Sequence, residues 1–194
     1  NQSNRLIISI RLIIRGKRNM KYKTFYQSEL GPILLESDGS SLTVLAIKGQ
    51  KHYQDKDDEK IMEKDDLEIF KKTKLWLDKY FQKEKMEKMD IPITYQGSLF
   101  QQLVWQELLK IPYGQVVTYK EIAQKVAQKM HKEKMSAQAV GGAVGSNPIS
   151  ILIPCHRVVG AKNNLTGYGG GIDKKQKLLE IEGIDIKMYH LPKK

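Results

Sequence analysis

The sequence predicts an α+β fold, with a small antiparallel sheet and one helix in the N-terminal part and a mostly helical C-terminal part. Two observations carry this prediction. Residues 22–47 form strand-like runs separated by turn signals, a pattern typical of a β-meander. From Ser98 onward, three segments with helical character each follow a serine or threonine, residue types that often cap helix N-termini.

Turn residues and apolar spacing define the N-terminal elements. Gly31-Pro32 and Asp38-Gly39 mark turns. They separate three predicted strands of an antiparallel meander: Lys21–Tyr26, Pro32–Ser37 and Leu42–Ile47. The charged segment Gln50–Asp66 is predicted to be a loop. Leu67–Phe81 predicts a helix, because its apolar side chains recur at helical spacing with lysines on the other face. Asp90–Gln96 is interpreted as a linker that holds the domain boundary.

Capping residues define the C-terminal elements. Ser98 predicts the start of a first helix. Thr118 and Ser136 predict two short helices on either side of a lysine-rich turn, which indicates a helix-turn-helix, although ordinary helix packing is the commoner alternative. The apolar run Ile149–Ile153 predicts a short strand, and Lys174–Glu182 predicts a final helix.

Composition favours a protein of the cytoplasm. The 194 residues are 40% apolar and 28% charged, and they include one cysteine. A single cysteine argues against a disulfide-stapled secreted protein and indicates a reducing compartment. No apolar run approaches the length of a membrane-spanning helix.

The basic N-terminus, residues 1–19, is interpreted as an upstream or non-native extension, with Met20 as the natural start. A secretory signal is the alternative, because basic and apolar N-termini are its hallmark. Its apolar stretch is short, is interrupted by Arg11 and has no clear cleavage site.

Net charge is +11, and it is unevenly distributed. Residues 97–194 hold 14 basic and seven acidic side chains, whereas the middle of the chain is nearly neutral. This distribution favours a polyanion as the partner of the C-terminal part. A lysine-rich solvated surface is the alternative.

The single cysteine, Cys155, carries most of the functional information. Free cysteines are usually buried as small apolar side chains. Cys155, however, follows Pro154 and precedes His156 and Arg157. A histidine can take the thiol proton and a cation stabilises the thiolate, so this context favours a nucleophile. One cysteine cannot form an intramolecular disulfide or a cysteine-rich metal site.

Seven ordered segments resemble one known family, the O6-alkylguanine-DNA alkyltransferases, and the similarity extends from Met20 almost to the end of the chain. The segments are Gly97–Gln101, Val104-Trp105, Ile111–Gly114, Tyr119–Ala123, Ala139–Ala143, Ser146–Pro148 and Pro154–Gly160. The resemblance implies a ribonuclease H-like scaffold domain over residues 20–92. It also implies a winged helix-turn-helix domain over residues 97–187, which binds DNA and accepts the alkyl group, and a tail over residues 188–194.

The activity implied by this resemblance is DNA repair. The alkyl group of O6-alkylguanine, in double-stranded DNA, would pass irreversibly from a flipped-out base to Cys155. O4-alkylthymine is a further candidate substrate. The thioether product is stable, so one turnover per molecule is expected, without a cofactor, an obligate protein partner or a membrane. The protein is expected to be a monomer.

The resemblance also implies roles for individual residues. His156 and Glu182, with a bridging water, would remove the thiol proton of Cys155. Tyr119 would assist departure of guanine, and Asn147 would link the recognition helix to the active-site loop. The remaining predicted contacts, with the substrate or with DNA, are Tyr168 beside the guanine pocket, Arg157 as a structural tie, and Lys120 and Gln138.

Gln138 departs from the family pattern, because many relatives carry an arginine there that fills the gap left by the flipped base. Glutamine can bond the orphaned base but brings no charge. Four lysines are expected to supply phosphate contacts instead: Lys125, Lys129, Lys132 and Lys134. Some relatives bind zinc through N-terminal cysteines, which this chain lacks, so no metal is expected.

Three other functions remain as alternatives. A non-catalytic lesion-binding protein would share the fold but lack Cys155. A helix-turn-helix regulator would usually carry more polar side chains on its third helix. A cysteine hydrolase would use Cys155 and His156, but neighbouring residues seldom reach each other as nucleophile and base.

Overall fold

A computed structural model of the chain describes residues 20–54, 60–84 and 90–191. The predictions on residues 1–19 lie outside this range. Six strands lie within these ranges: β1 (Lys21–Ser28), β2 (Gly31–Ser37), β3 (Leu42–Ile47), β4 (Ile61–Glu63), β5 (Val117–Thr118) and β6 (Val158–Val159). The α-helices are α1 (Glu68–Phe81), α2 (Leu99–Leu108), α3 (Tyr119–Lys129), α4 (Ala137–Gly145) and α5 (Ile172–Ile181). None of the helices described is long and apolar enough to cross a membrane.

The N-terminal sheet has the strand order β3-β2-β1-β4. β1, β2 and β3 form the predicted antiparallel meander, with Tyr22 opposite Ser37 and Ile33 opposite Ile47. The first turn lies at residues 29–30, two residues before the predicted Gly31-Pro32, and Gly31 opens β2 with a φ of 92°.

The charged segment Gln50–Asp66 is not all loop, contrary to prediction. Its residues 61–63 form β4, which pairs in parallel with β1 through Lys21 and Ile61. β4 is short and mostly exposed at the sheet edge, so it shows no apolar alternation that sequence reasoning could detect.

Helix α1 packs on this sheet through one face, formed by Ile69, Phe70, Thr73, Leu77 and Tyr80. These side chains recur three or four residues apart and are all buried. The spacing therefore turns Tyr80, near the end of the helix, inward toward the rest of the molecule.

Helices α2, α3 and α4 begin where the capping residues predicted. Ser98 and Thr118 each form a capping box, with Gln101 and Glu121 respectively. The Ser136 side chain accepts hydrogen bonds from the first turn of α4. Helices α2, α3 and α4 pack against one another.

The run Ile149–Ile153 is not the strand that was predicted. Ile149 makes a single bridge to Leu45, and a tight turn follows in which Ile151 has a φ of 68°. Cys155 then opens a 3-10 turn, Cys155–Arg157. The run is apolar because it is buried throughout, and burial alone does not distinguish a strand from a compact turn.

One hydrophobic core joins the N-terminal and C-terminal parts. It contains side chains of the sheet, of α1 and of helices α2 to α5. At the junction, Leu45 donates to the Pro148 carbonyl at 3.0 Å and accepts from the Ser150 amide at 2.8 Å. The predicted linker also lies on the sheet, because Thr94 donates to the Leu42 carbonyl at 2.9 Å. Packing of both parts positions the residues around Cys155.

Candidate active site

Cys155 lies in the hydrophobic core, with 4% of its surface exposed. A cavity of about 10 Å³ adjoins it, room for about one water molecule. Side chains of both parts of the chain line this cavity, among them Gln50 and His52 from the loop after β3, and Tyr168. The thiol is therefore enclosed, and a purine ring enters only if this lining moves.

Burial raises the pKa of the Cys155 thiol. The side chains of Asn147 and Ser150 and the charge of Lys175 act in the opposite direction, because they favour the thiolate. The resting thiol is protonated at neutral pH, so a nucleophilic role requires a base that takes its proton.

His156, the next residue, is joined to Glu182 at the end of α5. The distance from His156 Nε2 to Glu182 Oε1 is 2.6 Å, and both side chains are fully buried. A carboxylate accepts hydrogen bonds only, so Nε2 carries the proton and donates it. Nδ1 is then the basic nitrogen of a neutral ring, and no described residue bonds to it.

The pKa of His156 is lowered by burial, although the hydrogen bond and charge of Glu182 counteract this effect. A histidine with a lowered pKa stays neutral at neutral pH, which is the state that can accept a proton. The arrangement thus provides a buried base, fixed in one tautomer, beside the chain's single thiol.

Glu182 is the most heavily bonded carboxylate described in the structure. Besides His156, it accepts from Arg157 Nε at 2.8 Å, Tyr80 Oη at 2.9 Å and the Gly114 amide at 3.1 Å. Burial on its own would raise the pKa of Glu182, but the hydrogen bonds and charges of His156 and Arg157 outweigh it and lower the pKa to about 2. Glu182 is therefore ionised throughout the neutral range.

Arg157 connects the site to its surroundings. Besides its contact with Glu182, it donates from Nη1 to the Ile111 carbonyl at 2.6 Å and lies over the Tyr113 ring. Arg157 thereby ties three segments together through charged hydrogen bonds, and the structural role that the resemblance implied stays a prediction.

Asn147 braces the turn that leads to Cys155. Its Nδ2 donates to the Ile153 carbonyl at 2.7 Å, and its Oδ1 accepts from the Ile149 amide at 3.0 Å. Both contacts hold the compact turn that replaces the predicted strand. Asn147 thereby links the end of α4 to the cysteine.

Tyr119, at the start of α3, donates its hydroxyl to the Gly167 carbonyl at 2.9 Å and to the Thr166 carbonyl at 3.2 Å. Burial and the charge of Cys155 raise the pKa of Tyr119 to about 12. The hydroxyl is therefore protonated at neutral pH and able to donate. Tyr168, in the same loop, is partly buried, and burial together with the charge of Cys155 raises its pKa.

Lys175 and Tyr80 are among the residues of this site that sequence reasoning missed, as are Gln50, His52 and Ser150 around the cavity. Lys175 Nζ donates to the carbonyls of Val158 at 2.6 Å and Thr166 at 2.7 Å, and burial lowers its pKa to about 8. The burial of Lys175 could have been predicted from the sequence, because Lys175 lies on the same face of α5 as the apolar residues Leu178 and Leu179. No signal linked Tyr80 to a carboxylate that lies 102 residues further along the chain.

Gln138 and Lys120 lie outside this buried cluster. They line an open groove of about 730 Å³ between the N-termini of α3 and α4 and the loop from Gly160 to Gly167. Tyr119 lines the same groove, so the groove and the buried site share a wall. The structure thus brings Cys155, His156, Glu182, Arg157 and Asn147 together, and it places Gln138 and Lys120 at the surface.

Of the four lysines expected to contact phosphates, Lys129 is engaged elsewhere. It forms an ion pair with Glu107 at 2.6 Å, in a cluster that also holds Lys110. Lys125, Lys132 and Lys134 are exposed. In the described ranges, no three histidine, cysteine or acidic side chains come together in a way that could hold a metal ion.

Two family models match the chain. The DNA-binding domain of 6-O-methylguanine DNA methyltransferase matches residues 99–184, and the ribonuclease-like domain of the same family matches residues 21–95. The methylated-DNA–protein-cysteine methyltransferase of Haemophilus influenzae is 40% identical over 163 residues, which cover 84% of this chain and 87% of that protein. Its counterpart from Methanosarcina acetivorans is 39% identical over 163 residues, covering 84% and 98%.

Solved structures give the same result. A Mycobacterium tuberculosis OGT in complex with DNA aligns with a TM-score of 0.71 at 38% identity, covering 87% of this chain and 94% of that chain. The O6-methylguanine methyltransferase of the same organism aligns with a TM-score of 0.69 at 38% identity, covering 84% and 93%.

Proposed function

The chain belongs to the 6-O-methylguanine DNA methyltransferase family, and from that premise we propose that it repairs DNA by transferring the alkyl group of O6-alkylguanine to Cys155. The family predicted from the sequence and the α+β fold class are both confirmed. The chemistry at individual residues, given below, is our proposal.

One observation carries the proposal: the 2.6 Å contact between His156 and Glu182, both fully buried, next to the chain's single cysteine. The methyl carbon of an O6-methyl ether is a weak electrophile, so the attacking sulfur has to be a thiolate. His156 supplies the base and Glu182 stabilises the imidazolium that forms. A bridging water between the thiol and His156 belongs to the relay that the family implies.

The transfer step balances as follows. The thiol proton passes to Nδ1 of His156. The thiolate of Cys155 forms a bond to the alkyl carbon while the carbon–O6 bond breaks, and its electron pair stays with guanine. The Tyr119 hydroxyl, protonated at neutral pH, donates a hydrogen bond to the departing base and stabilises its developing negative charge. The guanine anion then takes one proton from water, and the proton held by His156 returns to water.

The reaction is expected to stop after one turnover. Its product is a thioether, in which the sulfur has lost its proton and is bonded to carbon. The described neighbours of Cys155 include the Ser150 hydroxyl and the Lys175 amine, but an uncharged thioether has no activated leaving group, so these neighbours are not expected to remove the alkyl group. Each molecule would therefore repair one base.

Double-stranded DNA is the proposed partner, with the damaged base flipped out of the stack. The groove lined by Lys120 and Gln138 offers a basic, open surface beside Tyr119. Since the cavity at Cys155 holds only about one water molecule, entry of the base requires the Tyr168 loop and its neighbours to open.

We further propose that the protein acts as a monomer in the cytoplasm. The single cysteine supports this location, because an alkyl acceptor has to stay reduced. Light scattering at working concentration tests the oligomeric state, and a dimer mass would overturn that part of the proposal.

Intact-protein mass spectrometry tests the function. The protein is mixed with excess duplex containing one O6-methylguanine, and with an unmodified duplex as control. We expect a gain of one methylene equivalent that saturates at one per chain and maps to the Cys155 peptide, and no gain for Cys155→Ser. Tight binding of the lesion without a mass change would favour a lesion-binding protein instead. More than one product per chain would indicate turnover and overturn the proposal.

A further inference from the structure

Tyr80 reaches the buried base from the N-terminal part of the chain. Its hydroxyl lies 2.9 Å from Glu182 Oε1 and 3.5 Å from His156 Nε2. Tyr80 belongs to α1, whereas His156 and Glu182 belong to the C-terminal part. The base and its carboxylate are therefore complete only when both parts of the chain are packed together.

Aromatic rings fix the position of the Tyr80 hydroxyl. Trp76, one turn earlier in α1, stacks on the Tyr80 ring with centroids 5.4 Å apart. Phe81 and Tyr113 meet the ring edge-on at 5.5 Å and 6.3 Å. Tyr80 has no exposed surface. Such packing leaves the ring little freedom, so the hydroxyl is held toward Glu182.

The hydroxyl is a donor in this arrangement. Burial and the charge of Glu182 raise the pKa of Tyr80 far above its ordinary value, so the hydroxyl keeps its proton. Glu182 Oε1 accepts hydrogen bonds only, and it receives three: from Tyr80, from His156 and from Arg157 Nη2 at 3.0 Å. The donors share the negative charge of one oxygen atom.

We propose that Tyr80 is a positioning residue for alkyl transfer, which holds Glu182 Oε1 in place and limits how strongly that oxygen favours protonated His156. This inference rests on the proposed function. Donation from Tyr80 withdraws charge from Oε1, so the carboxylate stabilises the imidazolium less. With the Tyr80 hydroxyl present, His156 is therefore neutral and able to accept the thiol proton at a lower pH. Without it, Oε1 would accept only from His156 and Arg157, and His156 would stay protonated up to a higher pH.

The test uses Tyr80→Phe, which removes the hydroxyl and keeps the ring. Tyr113→Phe is the matched control, because its hydroxyl donates to the Ile181 carbonyl at 3.0 Å and not to the carboxylate. Single-turnover rates of methyl transfer are measured on duplex containing O6-methylguanine, from about pH 5 to pH 9. Urea unfolding of both variants is measured in parallel.

For Tyr80→Phe we expect the acid limb of the rate profile to move to higher pH by about half to one unit, the size of effect that one hydrogen bond to a charged group allows. For Tyr113→Phe we expect no shift. A Tyr80→Phe profile that superimposes on that of the wild type would overturn the inference, whatever the change in stability.

A second readout does not depend on activity. The imidazole nitrogen shifts of His156 are titrated by NMR in Cys155→Ser, with and without Tyr80→Phe. An upward shift of the His156 titration in the double variant supports the inference, and an unchanged titration contradicts it. If wild-type protein transferred no methyl group, the proposed function would fail, whereas this titration would still report on the contact between Tyr80 and Glu182.

Discussion

Arg157 and Glu182 form a two-pronged contact inside the protein, with Nε to Oε2 at 2.8 Å and Nη2 to Oε1 at 3.0 Å. The Glu182 side chain is fully buried and that of Arg157 nearly so. Removal of one partner from such a pair leaves an uncompensated charge in the interior. The contact therefore makes Glu182, the carboxylate of the proposed active site, a structural element as well.

Glu182→Gln is expected to lower the free energy of unfolding at neutral pH by about 3–5 kcal/mol, because the Arg157 charge loses its counterion. The pH dependence should change as well. The pKa of Glu182 is depressed from 4.5 to about 2, so its contribution, about 3 kcal/mol, is present above pH 4.5 and disappears as pH falls toward 2. The variant should lose less stability over that interval.

Urea unfolding at neutral pH and at about pH 3 measures both effects. Glu180→Gln is the control, since Glu180 is two residues away in α5 and exposed. Equal acid sensitivity of the wild type and Glu182→Gln would show that the Glu182 pKa is not depressed.

Lys175 should also make stability rise with pH, in this case at alkaline pH. Its pKa is lowered from 10.5 to about 8 by burial, so the unfolded chain binds more protons between these values and stability rises with pH there. In a Cys155→Ser background, the difference in unfolding free energy between the parent and Lys175→Met should grow by up to about 3 kcal/mol from pH 8 to 10.5. Lys177→Met, an exposed neighbour, should show no such growth, and a flat difference for Lys175→Met would contradict the buried-lysine argument.

Gly167→Ala is expected to destabilise the loop that carries Tyr168. Gly167 has a φ of 71°, and a Cβ placed there would lie 2.5 Å from the Tyr119 hydroxyl. We expect a loss of about 1–2 kcal/mol in unfolding free energy, together with slower methyl transfer, because either the loop or the hydroxyl has to move. Gly142→Ala, in α4, meets no atom within 4 Å and should not destabilise. Wild-type stability and rate in Gly167→Ala would refute the close contact.

The groove residues should affect DNA binding through charge. Lys120→Ala is expected to reduce the slope of log affinity against log salt by about one, the signature of a lost phosphate contact. Gln138→Arg is expected to tighten binding to lesion duplex and to steepen the slope. Fluorescence anisotropy at several salt concentrations measures both. Lys79→Ala, on the exposed face of α1, is the control, and an unchanged slope for Lys120→Ala would remove that residue from the interface.

Local patterns predicted most of the fold. The three capped helices and the strand Leu42–Ile47 follow from side chains that act within a few residues of themselves, and each was found where expected. The run Ile149–Ile153 was wrongly predicted to be a strand. It is apolar because both parts of the chain bury it, and not because it belongs to a sheet. Strand β4 was not predicted, because its three residues are mostly exposed and show no apolar alternation, although they pair with β1.

The site was predictable in part. Cys155 and His156 stand next to each other in an unusual local context. The hydrogen-bond donors of Glu182 were not visible locally, because only packing of α5 against the turn at Arg157 brings them to its carboxylate. Tyr80 was out of reach for the same reason, since its partner lies 102 residues away. Long-range contacts between polar side chains leave no periodic signal in the sequence.

The enclosure of Cys155 has a consequence for the protein between synthesis and use. Because each molecule is expected to react only once, its thiol has to remain unmodified until damage occurs. Thiols are oxidised according to their exposure and thiolate fraction, and Cys155 is 4% exposed with a raised pKa. Dimedone labelling after dilute peroxide should therefore detect less sulfenic acid in the native protein than in urea-unfolded protein, and equal labelling would contradict this. The closed cavity protects the thiol of each molecule from oxidation, and this protection ends when the cavity opens to admit a damaged base.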